Sequence, residues 1–166
     1  ALLNYLVRLG WSHGDREIFS VDELIELFDI ADVNKAASVF NPEKLRWLNQ
    51  QYLISSDTLH IARHLSHHLG LRGIDPAPAP DLHKVVEVQK ERAHTLVEMA
   101  EISEFFYRDF DDYDAKSADK HLSAEALDPL QQLRAALAVV EHWSPELIWP
   151  AVQTVAKAVG LKVGKV

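Results

Sequence analysis

The chain has 166 residues, of which 48% are hydrophobic, so it is long enough for one ordinary globular domain or two small ones. It contains no cysteine, which excludes disulfides, thiolate metal sites and cysteine nucleophiles. The net charge of −8 argues mildly against nucleic-acid binding, because phosphate contacts come from lysine and arginine, although an acidic protein can still carry one basic face.

The chain begins inside a helical pattern. Leucines recur at helical spacing from Leu2 to Leu9, and Gly10 predicts the end of this first helix. Because the pattern is already running at the first residue and no initiator methionine precedes it, we expect the chain to be a segment of a longer protein. A capping box from Ser20 to Glu23 predicts the start of a second helix.

A third helix begins with a complete start signal at Asn41 and Pro42. Asn41 is a good N-cap, and Pro42 falls at the first helical position, where its missing N–H costs nothing. Lys44 and Trp47 share one face of this helix, and a cation beside an indole suits a polar, anionic or stacking partner. The ordinary alternative is that Trp47 lies in the core.

The segment after the third helix contains the best candidate for a domain boundary. A fourth helix is predicted from a cap at Ser56 or Asp57 to a stop at Gly70. Alternating proline and alanine then favour an extended, fairly stiff connection. We therefore predict a domain over residues 1–73, a linker over 74–81 and a second domain over 82–166.

The second half of the chain is also patterned as helices. We predict a long helix from about Leu82 to Tyr107, an acidic aromatic loop, and three further helices that start at Asp114, Ser123 and Ser144, the last ending at Gly160. No segment alternates with a period of two, so the predicted fold is all-α, with two small helical bundles joined by the Pro-rich connection.

Two clusters of residues contain potential metal ligands. His60, His64 and His67 share a helix face, but no acidic neighbour is placed to orient a ring, so a solvated face is favoured over zinc. Aspartates 109, 111 and 112 resemble a calcium loop, but Asp114 and Lys120 occupy the positions where an EF-hand needs Gly and Glu. We therefore predict no metal site.

No catalytic motif is present. The sequence has neither a glycine-rich phosphate loop nor a nucleophile elbow, and carboxylate pairs such as Glu98 and Glu101 are typical of a solvated helix surface. No run of apolar residues reaches membrane-spanning length and no signal peptide is visible. We expect a cytoplasmic, monomeric protein that contacts no membrane, with no catalytic residue in this segment.

One stretch carries a family resemblance. The motif Phe-x-x-x-Lys-Leu-x-Trp-x-Asn-x-x-Tyr, from Phe40 to Tyr52, resembles the segment that follows the catalytic domain in bacterial-type, class I glutamyl-tRNA synthetases. Flanking stretches agree with the same family, namely Ala1–Leu6, Leu9–Ser12, Glu17–Ser20, Val33–Lys35, Arg92–Leu96 and Gly160–Lys165. The resemblance is weakest over residues 55–81.

The resemblance implies a tRNA(Glu)-binding, C-terminal part of a glutamate–tRNA ligase, with a stem-contact domain followed by an anticodon-binding domain that is incomplete at its C-terminal end. ATP and magnesium would act in the parent enzyme's own catalytic domain, so the segment alone is predicted to need no cofactor and to be inactive. By the same resemblance, Lys44 and Trp47, and less strongly Arg46, would contact the tRNA elbow.

Arg92 is the predicted specificity residue. In the family, an Arg three residues before the Thr-Leu pair recognises the third anticodon base. On the predicted long helix, no acidic residue lies three or four positions from Arg92, so no ion pair along that helix would hold its guanidinium. The ordinary alternative is that Arg92 is simply exposed to solvent or paired across the bundle. For the function of the whole chain, the alternatives are an all-helical protein–protein interaction domain and a helical metalloprotein that uses His60, His64 and His67.

Overall fold

The computed structural model describes residues 1–77, 80–110 and 112–162. Pro78 and Ala79 of the predicted linker, Asp111 of the acidic loop and the closing residues Val163–Val166 lie outside the described residues. The described part is helical, with one isolated β-bridge between His13 and Arg16 and no strand, so the all-α prediction is confirmed. None of its helices is both long and apolar enough to cross a membrane.

The described residues form nine α-helices and two short 3-10 helices. The α-helices are α1 (Leu2–Val7), α2 (Val21–Leu27), α3 (Pro42–Ser55), α4 (Thr58–Leu71), α5 (Leu82–Gln89), α6 (Leu96–Glu101), α7 (Ala115–His121), α8 (Ala124–Ala138) and α9 (Pro145–Ala158). The 3-10 helices are Ile30–Asp32 and Glu104–Phe106.

Most predicted helix starts are confirmed by their caps. The Ser20 hydroxyl accepts from the Glu23 amide while the Glu23 carboxylate accepts from the Ser20 amide, which closes the capping box of α2. Asn41 accepts from the Lys44 amide at 3.0 Å and so starts α3. Asp57 and Asp114 accept from amides in the first turns of α4 and α7 in the same way.

The predicted end of α4 was wrong by a few residues. The helix continues through Gly70 to Leu71, and the residue with left-handed backbone is Gly73, at a φ of 71°. The Ile74 amide donates back to the Leu69 carbonyl at 3.0 Å, as in a Schellman ending. At the end of α9 the prediction is confirmed, because Gly160 has a φ of 69° and the Leu161 amide donates to the Ala156 carbonyl.

The predicted long helix from Leu82 to Tyr107 was also wrong. It is two helices separated by a turn over residues 90–95, here called the 90–95 turn. Thr95 ends this turn by accepting from the Glu98 amide at 3.1 Å, which starts α6 as a new helix. Ala93 is fully buried within the turn and anchors it to the core.

The chain forms two compact units, Ala1–Asp109 and Phe110–Val166. The units therefore do not divide at residues 74–81, where the linker was predicted. The physical reason is a shared core: buried side chains of α4 pack together with Ile74 and with residues of α5, the 90–95 turn and α6. Its members are Leu53, Ile61, Ala62, Leu65, Leu69, Ile74, Val86, Ala93, Met99 and Ala100.

The first unit contains a second, smaller cluster, and the second unit is built on one helix pair. Trp11, Phe19 and Leu24 form the smaller cluster near α1 and α2. In the second unit α8 packs against α9, where Val155 and Ala156 are buried.

Candidate nucleic-acid interface

The start of α3 is fastened to α1 by buried polar side chains. The Asn41 amide donates to the Tyr5 hydroxyl at 2.6 Å. Asn4, which is 2% exposed, donates to the Glu17 carbonyl at 2.9 Å and accepts from the Phe19 amide at 2.7 Å. Leu2, Leu3 and Leu6 of α1 are exposed, because the hydrogen-bonded side of the helix, with Asn4 and Tyr5, faces inward.

Tyr52, near the C-terminal end of α3, completes this attachment. Its hydroxyl lies 2.9 Å from the Asn4 side-chain oxygen and 2.6 Å from the Phe19 carbonyl. Burial raises the pKa of the Tyr52 phenol, with a smaller opposing effect from the hydrogen bond to Phe19. The helix is therefore held at its first turn and again near its last turn, which orients the residues between them.

Lys44 belongs to a network of ion pairs centred on Glu17. Its ammonium is 3.0 Å from one carboxylate oxygen of Glu17, and the Arg8 guanidinium is 3.1 Å from the other. Burial pushes the pKa of Glu17 upward, but hydrogen bonds from Lys44 and Arg8 outweigh burial and leave that pKa below its usual value. About two fifths of the Lys44 side chain remains exposed, at 42%, so the ammonium is paired yet accessible.

Trp47 lies on the surface of α3. It is 40% exposed, whereas the adjacent Leu48 is buried, so the alternative in which Trp47 is a core residue was wrong. A half-exposed indole on a rigid helix offers an aromatic face for stacking and a ring N–H for a hydrogen bond.

Two consecutive polar residues of α3 hold the 90–95 turn. The Asn49 amide group donates to the His94 carbonyl at 2.7 Å, and the Gln50 amide group donates to the Glu91 carbonyl at 2.9 Å. In the opposite direction, the Lys90 ammonium donates to the Ile54 carbonyl at 3.3 Å, near the end of α3. Three hydrogen bonds therefore join the turn to the helix.

Glu98 adds a fourth link and binds Arg46. One of its carboxylate oxygens accepts from the His94 amide at 2.9 Å, and the other accepts from the Arg46 guanidinium. The hydrogen bond from the His94 backbone lowers the pKa of Glu98, burial opposes it, and the Arg46 charge lowers it further. Arg46 is thus engaged with α6, although about half of its side chain is exposed.

Arg92 projects from the middle of this supported turn. The premise that it lies on a helix was wrong, because α5 has already ended at Gln89. Its backbone amide donates to the Gln89 carbonyl at 2.9 Å, and its side chain is exposed. Within the part of the chain that the structure describes, no carboxylate lies within ion-pair distance of its guanidinium.

The histidine face of α4 has no metal-binding arrangement. His60, His64 and His67 are exposed, and the rings of His60 and His64 meet edge to face with centroids 4.8 Å apart. Across residues 1–77, 80–110 and 112–162, no group of three or more potential ligands is arranged to hold a metal ion. Asp111 of the calcium alternative lies outside these residues.

The four predicted site residues lie in one compact unit but on two different elements. Lys44, Arg46 and Trp47 lie on α3, and Arg92 lies on the turn that α3 supports. Sequence reasoning missed Asn49, Gln50 and Glu98. Asn49 was part of the quoted motif but had no assigned role there, and this was the available signal.

Comparisons with known proteins agree with this arrangement. Residues 60–166 match the family model described as an anticodon binding domain, and residues 1–47 match the model for the catalytic domain of class I tRNA synthetases (E and Q). The chain is 55% identical over its whole length to glutamate–tRNA ligase 1 of Alkalilimnicola ehrlichii. It is 54% identical, over 99% of its length, to glutamate–tRNA ligase 1 of Nitrosococcus oceani. In both cases it covers 35% of the relative, so it spans about a third of these proteins.

A solved structure shows the same architecture. The glutamate tRNA ligase from Elizabethkingia meningosepticum, crystallised in complex with its amino acid, matches with a TM-score of 0.86 and 31% identity. The match covers 99% of this chain and 32% of that protein. The predicted resemblance to glutamyl-tRNA synthetases is confirmed. Because the first family model covers more than half of its residues, the chain belongs to the anticodon binding domain family of the class I tRNA synthetases.

Proposed function

We propose that the chain is the tRNA(Glu)-binding, C-terminal part of a glutamate–tRNA ligase, and that it positions the tRNA and recognises its anticodon. The observation that carries the proposal is the exposed guanidinium of Arg92, which the 90–95 turn presents with no ion-pair partner among the described residues. The similarity to glutamate–tRNA ligases supports it. Lys44, Trp47 and, more weakly because of its bond to Glu98, Arg46 are the proposed contacts to the tRNA elbow.

The chemistry of aminoacylation is assigned to the rest of the ligase. ATP and magnesium would act in its catalytic domain, and no step involving them is assigned to residues of this chain. The chain alone would bind tRNA weakly and form no aminoacyl adenylate. We place the whole enzyme in the cytoplasm as a monomer whose partners are tRNA(Glu) and, within the same polypeptide, the catalytic domain.

Arg92 suits base recognition because its planar fork donates several directed hydrogen bonds to the edge of an unstacked base. The test is Arg92→Gln in the full-length ligase, with kcat/KM measured for tRNA(Glu) and for a transcript in which only the third anticodon base is changed. Discrimination should fall by about 1–3 kcal/mol, the range for a good base contact. An unchanged ratio between the transcripts would refute the role of Arg92.

Arg63→Gln is the matched control. Arg63 is an exposed arginine on α4, so its loss should change both transcripts alike. For the elbow contacts, Lys44→Gln should weaken binding of both transcripts equally and reduce the salt slope by less than about 1, because Lys44 is already paired with Glu17. A protein–protein interaction domain, the predicted alternative, would show no salt-dependent tRNA binding.

A further inference from the structure

We propose that Asn49 and Gln50 are positioning residues for base recognition, because they fix from α3 the turn that presents Arg92. This inference rests on the proposed function of Arg92. It makes anticodon discrimination depend on two side chains that would themselves touch no nucleotide.

The two hydrogen bonds bracket Arg92. Gln50 binds the carbonyl of Glu91, directly before Arg92, and Asn49 binds the carbonyl of His94, two residues after it. Their donors are neighbours on a helix whose own position is set by Asn4, Tyr5 and the core. The backbone on both sides of Arg92 is therefore tied to α3, while the side chain between these ties remains exposed.

The surroundings explain why such ties are needed. Residues 90–95 lack the hydrogen-bond ladder that a continuous helix would have supplied, and their own closure is the bond from the Arg92 amide to the Gln89 carbonyl at 2.9 Å. Burial of Ala93 holds the centre of the turn, and the bond from Glu98 to the His94 amide holds its end. The Gln50 bond reaches the exposed side of the turn next to Arg92.

Recognition of a base edge requires direction as well as charge. If the hydrogen bonds that hold the turn are lost, Arg92 keeps its charge and still attracts phosphates. Its guanidinium, however, is no longer held in the orientation that hydrogen bonds to the base edge require. Loss of Asn49 or Gln50 should therefore lower discrimination while leaving tRNA affinity nearly unchanged. This pattern differs from the loss of a phosphate contact, which weakens all transcripts alike.

The experiment uses Gln50→Met and Asn49→Leu in the full-length ligase, each alone and combined with Arg92→Gln. Both substitutions keep approximate side-chain size and remove the donor. Each should lower the kcat/KM ratio between tRNA(Glu) and the transcript with the changed third anticodon base by between about two- and tenfold, the value of one hydrogen bond. In the Arg92→Gln background neither should lower the ratio further.

Two measurements separate positioning from general damage. Gln51→Met makes the same chemical change one residue further along α3 and should leave the ratio unchanged. Hydrogen exchange by mass spectrometry should show faster exchange of the amides in the 90–95 turn for Gln50→Met, with the rest of the unit protected as before.

The outcomes are distinguishable. If Arg92→Gln lowers the ratio but Gln50→Met and Asn49→Leu do not, the positioning role is overturned and the proposed function stands. If Arg92→Gln itself has no effect, the proposed function fails first. If Gln50→Met lowers the ratio as much with Arg92→Gln as without it, Gln50 acts independently and the inference is again overturned. Should Asn49→Leu fail to fold, Gln50→Met decides, since its bond is at the surface.

Discussion

Replacing Asn4 by alanine should strongly destabilise the first unit. Asn4 bridges the Glu17 carbonyl and the Phe19 amide, and the substitution leaves both without that partner. Phe19 is 1% exposed, so water has little access to its amide. An unsatisfied buried polar group costs about 1–3 kcal/mol, so two such groups would cost at most about 2–6 kcal/mol, and the Glu17 carbonyl is only partly buried. Some water will enter the vacated space, and we expect a value in the lower half of this range.

Tyr52→Phe provides the companion measurement. It removes a hydroxyl that lies between Asn4 and the Phe19 carbonyl but leaves both Asn4 backbone bonds intact, so about 1–2 kcal/mol should be lost. Because the two side chains share one network, the double variant should lose less than the sum.

The assay for these variants must distinguish the two compact units. Urea unfolding followed by pulsed hydrogen exchange and mass spectrometry reports each unit through its own peptides. A loss below about 1 kcal/mol for Asn4→Ala, or full additivity with Tyr52→Phe, would refute the reasoning that a shared buried network attaches α3 to α1.

Four further substitutions test the fold. Leu65→Ala, at a fully buried position, should cost about 2–5 kcal/mol in the first unit by urea unfolding, whereas Leu127→Ala, at 59% exposure, should cost under about 1 kcal/mol; equal losses would contradict the assigned core. Gly160→Ala should destabilise the second unit by about 1 kcal/mol, since its φ of 69° disfavours a side chain, and an unchanged midpoint would contradict this ending of α9. Because the pKa of Glu98 is lowered in the fold, its stabilising effect is present above its ordinary value of 4.5 and is lost as the pH falls through the folded value. Glu98→Gln should flatten the stability profile in that acidic range, and parallel profiles would exclude the contribution.

Local signals predicted helix starts well because caps act within a few residues. The side-chain oxygens of Ser20, Asn41 and Asp57 each accept from the amide three residues later, so a short stretch of sequence contains both partners. Helix continuity was harder to predict. The segment from Leu82 to Tyr107 has apolar residues at helical spacing, but Thr95 prefers to cap a new helix, and burial of Ala93 favours the break.

Sequence-based prediction was least successful for hydrogen bonds between residues that are far apart in the sequence. The bond from Asn49 to His94 spans 45 residues, and the bond from Gln50 to Glu91 spans 41. No spacing rule relates such residues. The Pro-rich stretch misled for the same reason: a stiff connection was predicted to separate domains, but α4 continues its core across it with α5 and α6.

The pairing of charges bears on how a chain with a net charge of −8 could carry out the proposed recognition of RNA. On α3, Lys44 is paired with Glu17 and Arg46 with Glu98, so carboxylates already neutralise much of the charge available to phosphates. Such pairing weakens indiscriminate attraction to nucleic acid, which depends on the number of phosphates that lysine and arginine neutralise. Under the proposed function, selectivity then depends more on the orientation of the Arg92 guanidinium than on the summed charge. The hydrogen bonds from α3 to the 90–95 turn fix that orientation. A shallow salt dependence together with strong base discrimination is the combination that this arrangement predicts.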